Sequence, residues 1–222
     1  MFTGIVQGCA TVQALIDSPG LRRITLEFAS DIAAGLAVGA SVAVDGVCLT
    51  VSALRGTDGA EFDVMQQSLS VTTLGHLQRG SRVNVERAAR AGGEIGGHVL
   101  SGHIDVAGTV AQIRRPENNT QLRIALPAPW MRYVFARGYI AVNGASLTVA
   151  EVQRERGGGG WFEVWLIPET LRVTTFAELA IGAMLNIEID RQTRVLVDTL
   201  RDVIDERLEA LQPLVRARPD QC

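Results

Sequence analysis

The segment Val142-Asn143-Gly144-Ala145-Ser146-Leu147-Thr148-Val149 has a counterpart 98 residues earlier, Val44-Asp45-Gly46-Val47-Cys48-Leu49-Thr50-Val51. At the same offset Phe2-Thr3-Gly4-Ile5-Val6 lies over Leu100-Ser101-Gly102-His103-Ile104, and Thr11-Val12 over Thr109-Val110. After a slip from 98 to 102, Ser68-Leu69-Ser70-Val71-Thr72-Thr73-Leu74 falls on Thr170-Leu171-Arg172-Val173-Thr174-Thr175-Phe176, and Asn84-Val85-Glu86 on Asn186-Ile187-Glu188. Separate segments that match in one order, with one short insertion, mark a duplication. The period exceeds the roughly 20 to 50 residues of solenoid repeats, so the repeated unit is a whole domain. A chain of 222 residues has room for two such units, each near the small end of what can close its own core.

Within the first unit, residues 3–16 are apolar and β-branched and end in the turn cluster Asp17-Ser18-Pro19-Gly20. Residues 21–28 alternate, with Ile24, Leu26 and Phe28 on one face and Thr25 and Glu27 on the other, as in a half-buried strand. Residues 31–36 read as a short helix capped by Asp31. Residues 41–44 and 48–54 form a hairpin around Asp45-Gly46, the strongest short turn signal here. Residues 61–65 and 82–86 add strands, with a short helix expected over 70–77. About six strands in a unit too short for βαβ crossovers predict a small all-β barrel or sandwich. The glycine-rich link at 87–97 leads into the second unit, which repeats the plan to about Asp190 with turns at Asn118-Asn119, Asn143-Gly144 and 157–160, the last a flexible tip.

Beyond Gln192 the period changes. Leu196, Leu200, Val203, Ile204, Leu208 and Leu211 recur at helical spacing, and Pro213 and Pro219 are expected to mark the end. The stripe has two possible partners, its own barrel or the same helix of other subunits. The domain reading is therefore 1–97, 98–190, and a helix and tail at 191–222.

Composition narrows the function classes. The net charge of −3, without a basic block, argues against nucleic acid. No apolar run approaches the ~20 residues of a membrane span, and the N-terminus lacks the plan of a secretory signal. Cys9, Cys48 and Cys222 have no metal-ligand spacing and suggest no disulfide framework. The expectation is a cytoplasmic protein without a metal.

Several short motifs, in order on the duplicated frame, carry a family resemblance: Met1-Phe2-Thr3-Gly4-Ile5-Val6, Cys48-Leu49-Thr50-Val51, Val83-Asn84-Val85-Glu86-Arg87-Ala88, Ile95-Gly96-Gly97-His98, Ser101-Gly102-His103, Ser146-Leu147-Thr148-Val149 and Ile167-Pro168-Glu169-Thr170-Leu171. Over most of its length the sequence resembles the lumazine-dismutating riboflavin synthase family. The resemblance implies two tandem six-stranded antiparallel Greek-key barrels and a C-terminal α-helix. It also implies a homotrimer built around those helices, with each site between the N-terminal barrel of one subunit and the C-terminal barrel of its neighbour. The implied substrate is 6,7-dimethyl-8-ribityllumazine, one molecule per barrel. A four-carbon unit moves from one molecule to the other, giving riboflavin and a ribitylaminopyrimidine without metal or external cofactor.

The chemistry asks for a proton relay and for donors to a delocalised negative charge. His103, in Ser-Gly-His, is the first candidate; a histidine beside glycines is more often structural, and the motif reverses that reading. Its repeat counterpart is Ile5, so the two pockets differ chemically. His98 is the second candidate, with pinning of the linker as its plainer role. His76 matches no motif and reads as a surface residue. The resemblance carries Cys48, Thr50, Ser146 and Thr148 over as pocket residues, Cys48 as a nucleophile or base if its pKa is depressed. Leu49 and Leu147 would face away from Thr50 and Thr148. Further substrate contacts implied are Phe2, with its ring over a bound lumazine, Thr3, Gly4, Ile5, Val6, Ser41, Gly102, Ile104 and Arg137. The strand-and-loop segments Asp63, Val64, Met65, Gln66, Gln67 and Ser68, and Ile167, Pro168, Glu169, Thr170, Leu171 and Arg172, are implied to hold the ring edge and ribityl chain. Asn84 and Asn186 are open between a ligand contact and strand-end hydrogen bonding.

Three positions depart from the family pattern. Gln67-Ser68 stands where Glu-Thr is common, Arg137 where Lys is, and Asn143 where Asp is; the first change removes a charge and the second alters donor geometry. Two rival readings stay open: a non-catalytic antenna protein that binds lumazine or flavin on the same frame, and a flavin barrel of an electron-transfer protein. The latter lacks a Gly-rich dinucleotide fingerprint.

Overall fold

A computed structural model describes the backbone of residues 1–216 and the side chains of residues 1–209. Two closed six-stranded barrels share one topology. The first contains β1 (Gly8–Ser18), β2 (Leu21–Glu27), β3 (Ser41–Val44), β4 (Val47–Arg55), β5 (Gly59–Met65) and β6 (Arg82–Arg87), joined around the barrel in the order 1-2-5-4-3-6. The second contains β7 (Val106–Arg114), β8 (Thr120–Leu126), β9 (Tyr139–Val142), β10 (Ala145–Arg154), β11 (Gly160–Leu166) and β12 (Met184–Ile189), closed in the equivalent order 7-8-11-10-9-12. All pairings are antiparallel.

Alternating side chains build each core. Ile24, Leu26, Phe62, Val64 and Val83 fill the first barrel, and Val110, Leu122, Ile124, Phe162 and Ile187 are buried in the second. Each such side chain stabilises by ~1.5–3 kcal/mol on burial. The register shifts after Val12 and Val51, and again after Val110 and Val149, 98 residues on. A bulge bends its strand and increases local twist, so even the devices that curve the sheet into a barrel are duplicated.

The short helices are α1 (Ser30–Ala33), α2 (Gln66–Val71), α3 (Ala128–Met131) and α4 (Pro168–Val173). Two expectations need correction here. Asp31 does not cap α1; it lies in the first turn, where its Oδ1 accepts from its neighbour's amide, Ile32 N, at 3.1 Å. The helix expected over 70–77 starts earlier and breaks at Thr72, which is extended (φ −125°, ψ 166°) and separates α2 from a 3₁₀ turn at Thr73–His76. The Thr72 hydroxyl donates to Ser68 O at 2.6 Å and accepts from Leu74 N at 3.4 Å, so it ends one helix and starts the next. Thr174 plays the same part in the second unit.

The barrels are joined by a crossed set of buried hydrogen bonds. The tight turns Asp45-Gly46 and Asn143-Gly144 meet, so that a Cβ on Gly46 would lie 2.7 Å from Gly144 N. Asn84 Nδ2 donates to Asn143 O at 3.0 Å, and its Oδ1 accepts from Thr175 N at 2.8 Å. In mirror fashion Asn186 Nδ2 donates to Asp45 O at 2.9 Å, and its Oδ1 accepts from Thr73 N at 2.8 Å. Within each barrel Asp45 Oδ1 accepts from Asn84 N and Asn143 Oδ1 from Asn186 N, at 2.8 and 2.7 Å. Each amide thus ties one barrel to the other's turns, and removing it would strand buried partners at ~1–3 kcal/mol each. Both asparagines serve this joint, which favours the hydrogen-bonding one of their two readings. An isolated bridge between Phe2 and Leu100 and a cluster of Phe2, Ala43, Leu100 and Ala141 complete the seam.

The C-terminal helix α5 (Arg191–Arg216) forms a unit of its own. Its stripe of Val195, Leu196, Leu200, Val203, Ile204 and Leu208 is exposed, and Arg194–Asp198 and Arg201–Asp205 pair one turn apart at 3.8 and 3.7 Å. The helix runs past Pro213 to Arg216, so that proline does not mark its end. A proline removes a single i→i−4 bond, here within the last turn. The side chain of Leu211, and Pro219 and Cys222, fall outside the described residues.

Candidate active site

The residues singled out by the duplicated motifs gather around the two central hairpins. In the first, Ser41 pairs with Thr50 and Ala43 with Cys48; in the second, Tyr139 pairs with Thr148 and Ala141 with Ser146. Each hairpin is met by the leading segment of the other unit. Cys48 N donates to Gly102 O at 2.8 Å, and Ser146 N donates to Gly4 O at 2.8 Å. Gly4 and Gly102 both have positive φ, 74° and 79°, and a Cβ on either would lie 2.5 Å from the Cβ of Ser146 or Cys48 respectively. Only glycine meets both conditions.

The groups are therefore crossed. His103 follows the glycine that meets Cys48 of the first barrel, whereas Ile5 follows the glycine that meets Ser146 of the second. Thr50, Thr148, His103 and Ile5 are exposed, and Ser41, Cys48 and Ser146 are half-buried. Repeat alignment pairs His103 with Ile5 but assigns each to its own barrel, so this exchange was invisible in the sequence.

His98 belongs to the second group. Its Nδ1 lies 2.7 Å from Ser146 Oγ, and its ring stacks on Tyr139 with centroids 5.2 Å apart and planes 17° from parallel. The side chain is 8% exposed, and Nε2 has no hydrogen-bond partner among the described residues. Burial holds its pKa below the ordinary imidazole value, with Asp190 acting weakly in the other direction. The ring is neutral near pH 7, and the pair can exchange a proton between hydroxyl and imidazole.

Other expected positions separate into two sets. Phe2 is 2% exposed and packed in the seam, so its ring does not cover a ligand; this corrects the expectation, and the cause is the bridge to Leu100. Val6, Leu49, Val64 and Leu147 are likewise buried, the last three because strand alternation turns them inward. Ile104 packs against the first core. Met65 and Ile167 are exposed at the strand ends that lead to Gln66, Gln67 and Ser68 in α2 and Pro168, Glu169, Thr170, Leu171 and Arg172 in α4. Asp63 receives two bonds from Arg23, at 2.7 and 3.0 Å, which hold its pKa low. Glu169 is likewise held low by Arg172. The first unit has Ser70 where the second has Arg172, so the neutral Gln67 accompanies the loss of that cation. Arg137 is exposed with φ 67°, a conformation its counterpart Gly39 adopts at 86°.

Sequence reasoning missed Tyr139, Gly97, Glu86 and Glu188. The last two were legible as an acidic residue repeated at the same place in both units, two positions after the paired asparagines. A cleft of about 760 Å³ is lined by Gln7, Arg87 and Glu94 among others, and it shares Thr3, Ile5 and Glu86 with the residues named above.

Comparison with known proteins follows this geometry. A sequence model described as the lumazine binding domain matches residues 3–88 and again 101–190. The chain is 44% identical to riboflavin synthase of Escherichia coli strain K12 over 212 residues, 95% of this chain and 97% of that one. It is 41% identical over 193 residues to riboflavin synthase of Mycobacterium bovis, covering 86% and 93% of the two chains. Among solved structures, LumP complexed with riboflavin superposes with a TM-score of 0.77 at 26% identity, covering 86% of this chain and all of that one. LumP complexed with 6,7-dimethyl-8-(1'-D-ribityl) lumazine gives 0.74, also at 26% identity.

Proposed function

The chain belongs to the riboflavin synthase family, and on that premise we infer that it dismutates 6,7-dimethyl-8-ribityllumazine. One molecule gives up a four-carbon unit and leaves as 5-amino-6-ribitylaminopyrimidinedione; the other receives it and becomes riboflavin. Donor and acceptor are the same compound, so the exchange balances without an outside oxidant or reductant. The observation that carries the reading is the pair of crossed half-sites, one per barrel, on a frame 44% identical to a riboflavin synthase.

Two related faces suit two copies of one reactant. Holding them in register supplies proximity and orientation, worth up to ~7–11 kcal/mol in well-ordered systems. The acidic ring methyl of one lumazine must lose a proton, and the neutral His98 with Ser146 is suited to move it. At the other hairpin His103 and Cys48 are the polar groups that this reading assigns to the reaction. The hydroxyls of Ser41, Thr50 and Thr148 offer donors and acceptors to the pteridine edge. On this reading Arg137, Gln67 and Glu169 serve the ribityl chains. The full reading is domains at 1–97, 98–190 and 191–222, a cytoplasmic homotrimer, and sites completed between the first barrel of one subunit and the second of its neighbour. The exposed apolar stripe on α5 supports the trimer. No helix of the described residues is long and apolar enough to cross a membrane.

The test is to mix the purified protein with 6,7-dimethyl-8-ribityllumazine and follow riboflavin by absorbance. One riboflavin formed for every two lumazines consumed is expected. Tight binding without product would place the chain with antenna proteins instead.

A further inference from the structure

Each barrel buries a glutamate on the strand beside its central hairpin. Glu86 on β6 is 3% exposed and Glu188 on β12 is 1% exposed, and neither forms an ion pair with an arginine among the described residues. Glu86 Oε1 accepts from Thr3 N and Thr3 Oγ1 at 2.6 and 2.8 Å, and Oε2 from Gly4 N at 3.0 Å. Glu188 Oε1 accepts from Ser101 N and Ser101 Oγ at 2.8 and 2.6 Å, and Oε2 from Gly102 N at 3.0 Å. The same three-pronged clasp is built twice.

A buried carboxylate that no arginine pairs is costly, even with the N-terminal ammonium acting on Glu86, and an apolar residue would close the barrel at less expense. What the carboxylate adds is direction. Two successive amides converge on one group, which holds the glycine at positive φ and turns its carbonyl toward the opposite barrel's Ser146 or Cys48. The next residue is fixed as well: Ile5 N donates to Thr3 Oγ1 at 3.3 Å and His103 N to Ser101 Oγ at 3.2 Å. Burial raises the pKa of Glu86 while the bonds from Thr3 and Gly4 oppose that shift.

We propose that Glu86 and Glu188 are positioning residues that each govern the half-site of the opposite barrel. Glu188 sets His103 against Cys48, and Glu86 sets Gly4 and Ile5 against the Ser146–His98 pair. The proposal rests on the dismutase reading, since it concerns the geometry of that reaction.

Glu→Gln keeps the shape but turns an NH₂ group toward a backbone N–H or a hydroxyl, so at least one prong is lost. Displacement of a positioned group by about 1 Å can cost ~100-fold in rate. Glu188→Gln is expected to lower kcat about 10- to 100-fold. Double-mutant cycles separate positioning from general destabilisation. Glu188→Gln should be non-additive with His103→Ala and multiplicative with Ser146→Ala. Glu86→Gln should show the reverse. Ser101→Ala and Thr3→Ala each remove one prong and should give severalfold losses with the same crossed pattern, so they carry the test if a glutamate variant fails to fold. Multiplicative behaviour in all four pairs, or kcat within twofold of the parent, would overturn the proposal. If the parent protein binds lumazine but forms no riboflavin, the reaction reading fails by itself. The same cycles read in lumazine affinity then decide the clasp.

Discussion

The two barrels have one topology, matching bulges and one joint, yet they differ at nearly every polar position of the hairpin faces. Cys48 corresponds to Ser146, Ser41 to Tyr139 and Gly39 to Arg137, and the segments that cross over bring His103 to one side and Ile5 to the other. Where the chain must fold, the repeats are kept alike; where two identical reactants must play unlike parts, they diverge. Crossing makes the halves depend on each other, because each barrel completes its neighbour's face. That explains why the seam is built of paired glycines and amides, groups that tolerate no extra atoms.

The comparison can be broken most severely at the glycines. Gly4→Ala or Gly102→Ala would combine positive φ, costing ~1–2 kcal/mol, with a Cβ 2.5 Å from the facing side chain. Each is expected to lower the melting temperature by several degrees and abolish turnover, as measured by calorimetry and riboflavin formation. If either variant keeps full activity, the contacts across the seam do not shape the sites.

The second break concerns the asymmetry of the relay. His98→Gln should lower kcat about 10- to 100-fold, within the range of general acid–base catalysis. In the parent, a pH–rate profile should stay level through neutral pH and fall only below the ordinary imidazole pKa, because burial lowers that of His98. The linkage has the same sign. The unfolded chain takes up the proton first as pH falls below 6.5, so stability drops there. A profile whose acid limb is unchanged in His98→Gln would remove His98 from the relay.

A third test sharpens the likeness of the two turns. Asp45 and Asn143 make the same bonds, but burial raises the Asp45 pKa from 3.8 to about 7, against the opposing bond from Asn84 N. A raised carboxyl pKa favours the protonated native form, so its contribution is fully present below pH 3.8 and is lost as pH rises through about 7. Asp45→Asn should therefore change little at pH 4 and stabilise at pH 8, on the order of a few kcal/mol. For a chain of this size that is about 5 °C or more in Tm. Equal melting shifts at both pH values would contradict the burial account.

The smallest expected effect is at Gln67. Gln67→Glu restores a carboxylate without the cation that Arg172 gives Glu169, since Ser70 occupies that place. Activity should change less than about twofold, given how little exposed charges contribute.

Much of this was legible in the chain. The Asp-Gly and Asn-Gly turns, the alternation of Ile24, Leu26 and Phe28, and the repeat itself predict the barrels almost strand by strand, because they depend on local periodicity. The crossing was not legible. Alignment assigns His103 to the unit that encodes it, and nothing local says that Gly102 will meet Cys48. Phe2 misled for a similar reason: a terminal aromatic has no pattern around it, and its burial depends on Leu100. Thr72 broke a helix through its own hydroxyl, a competition that apolar spacing does not register.

The central claim is that one chain presents two unlike half-sites for one compound. Equilibrium titration with 6,7-dimethyl-8-ribityllumazine, in the parent and in His103→Ala, tests it most directly. The account predicts two molecules bound per chain, with the variant weakening one of them at least tenfold and leaving the other unchanged. A single molecule per chain, or equal weakening of both, would contradict it.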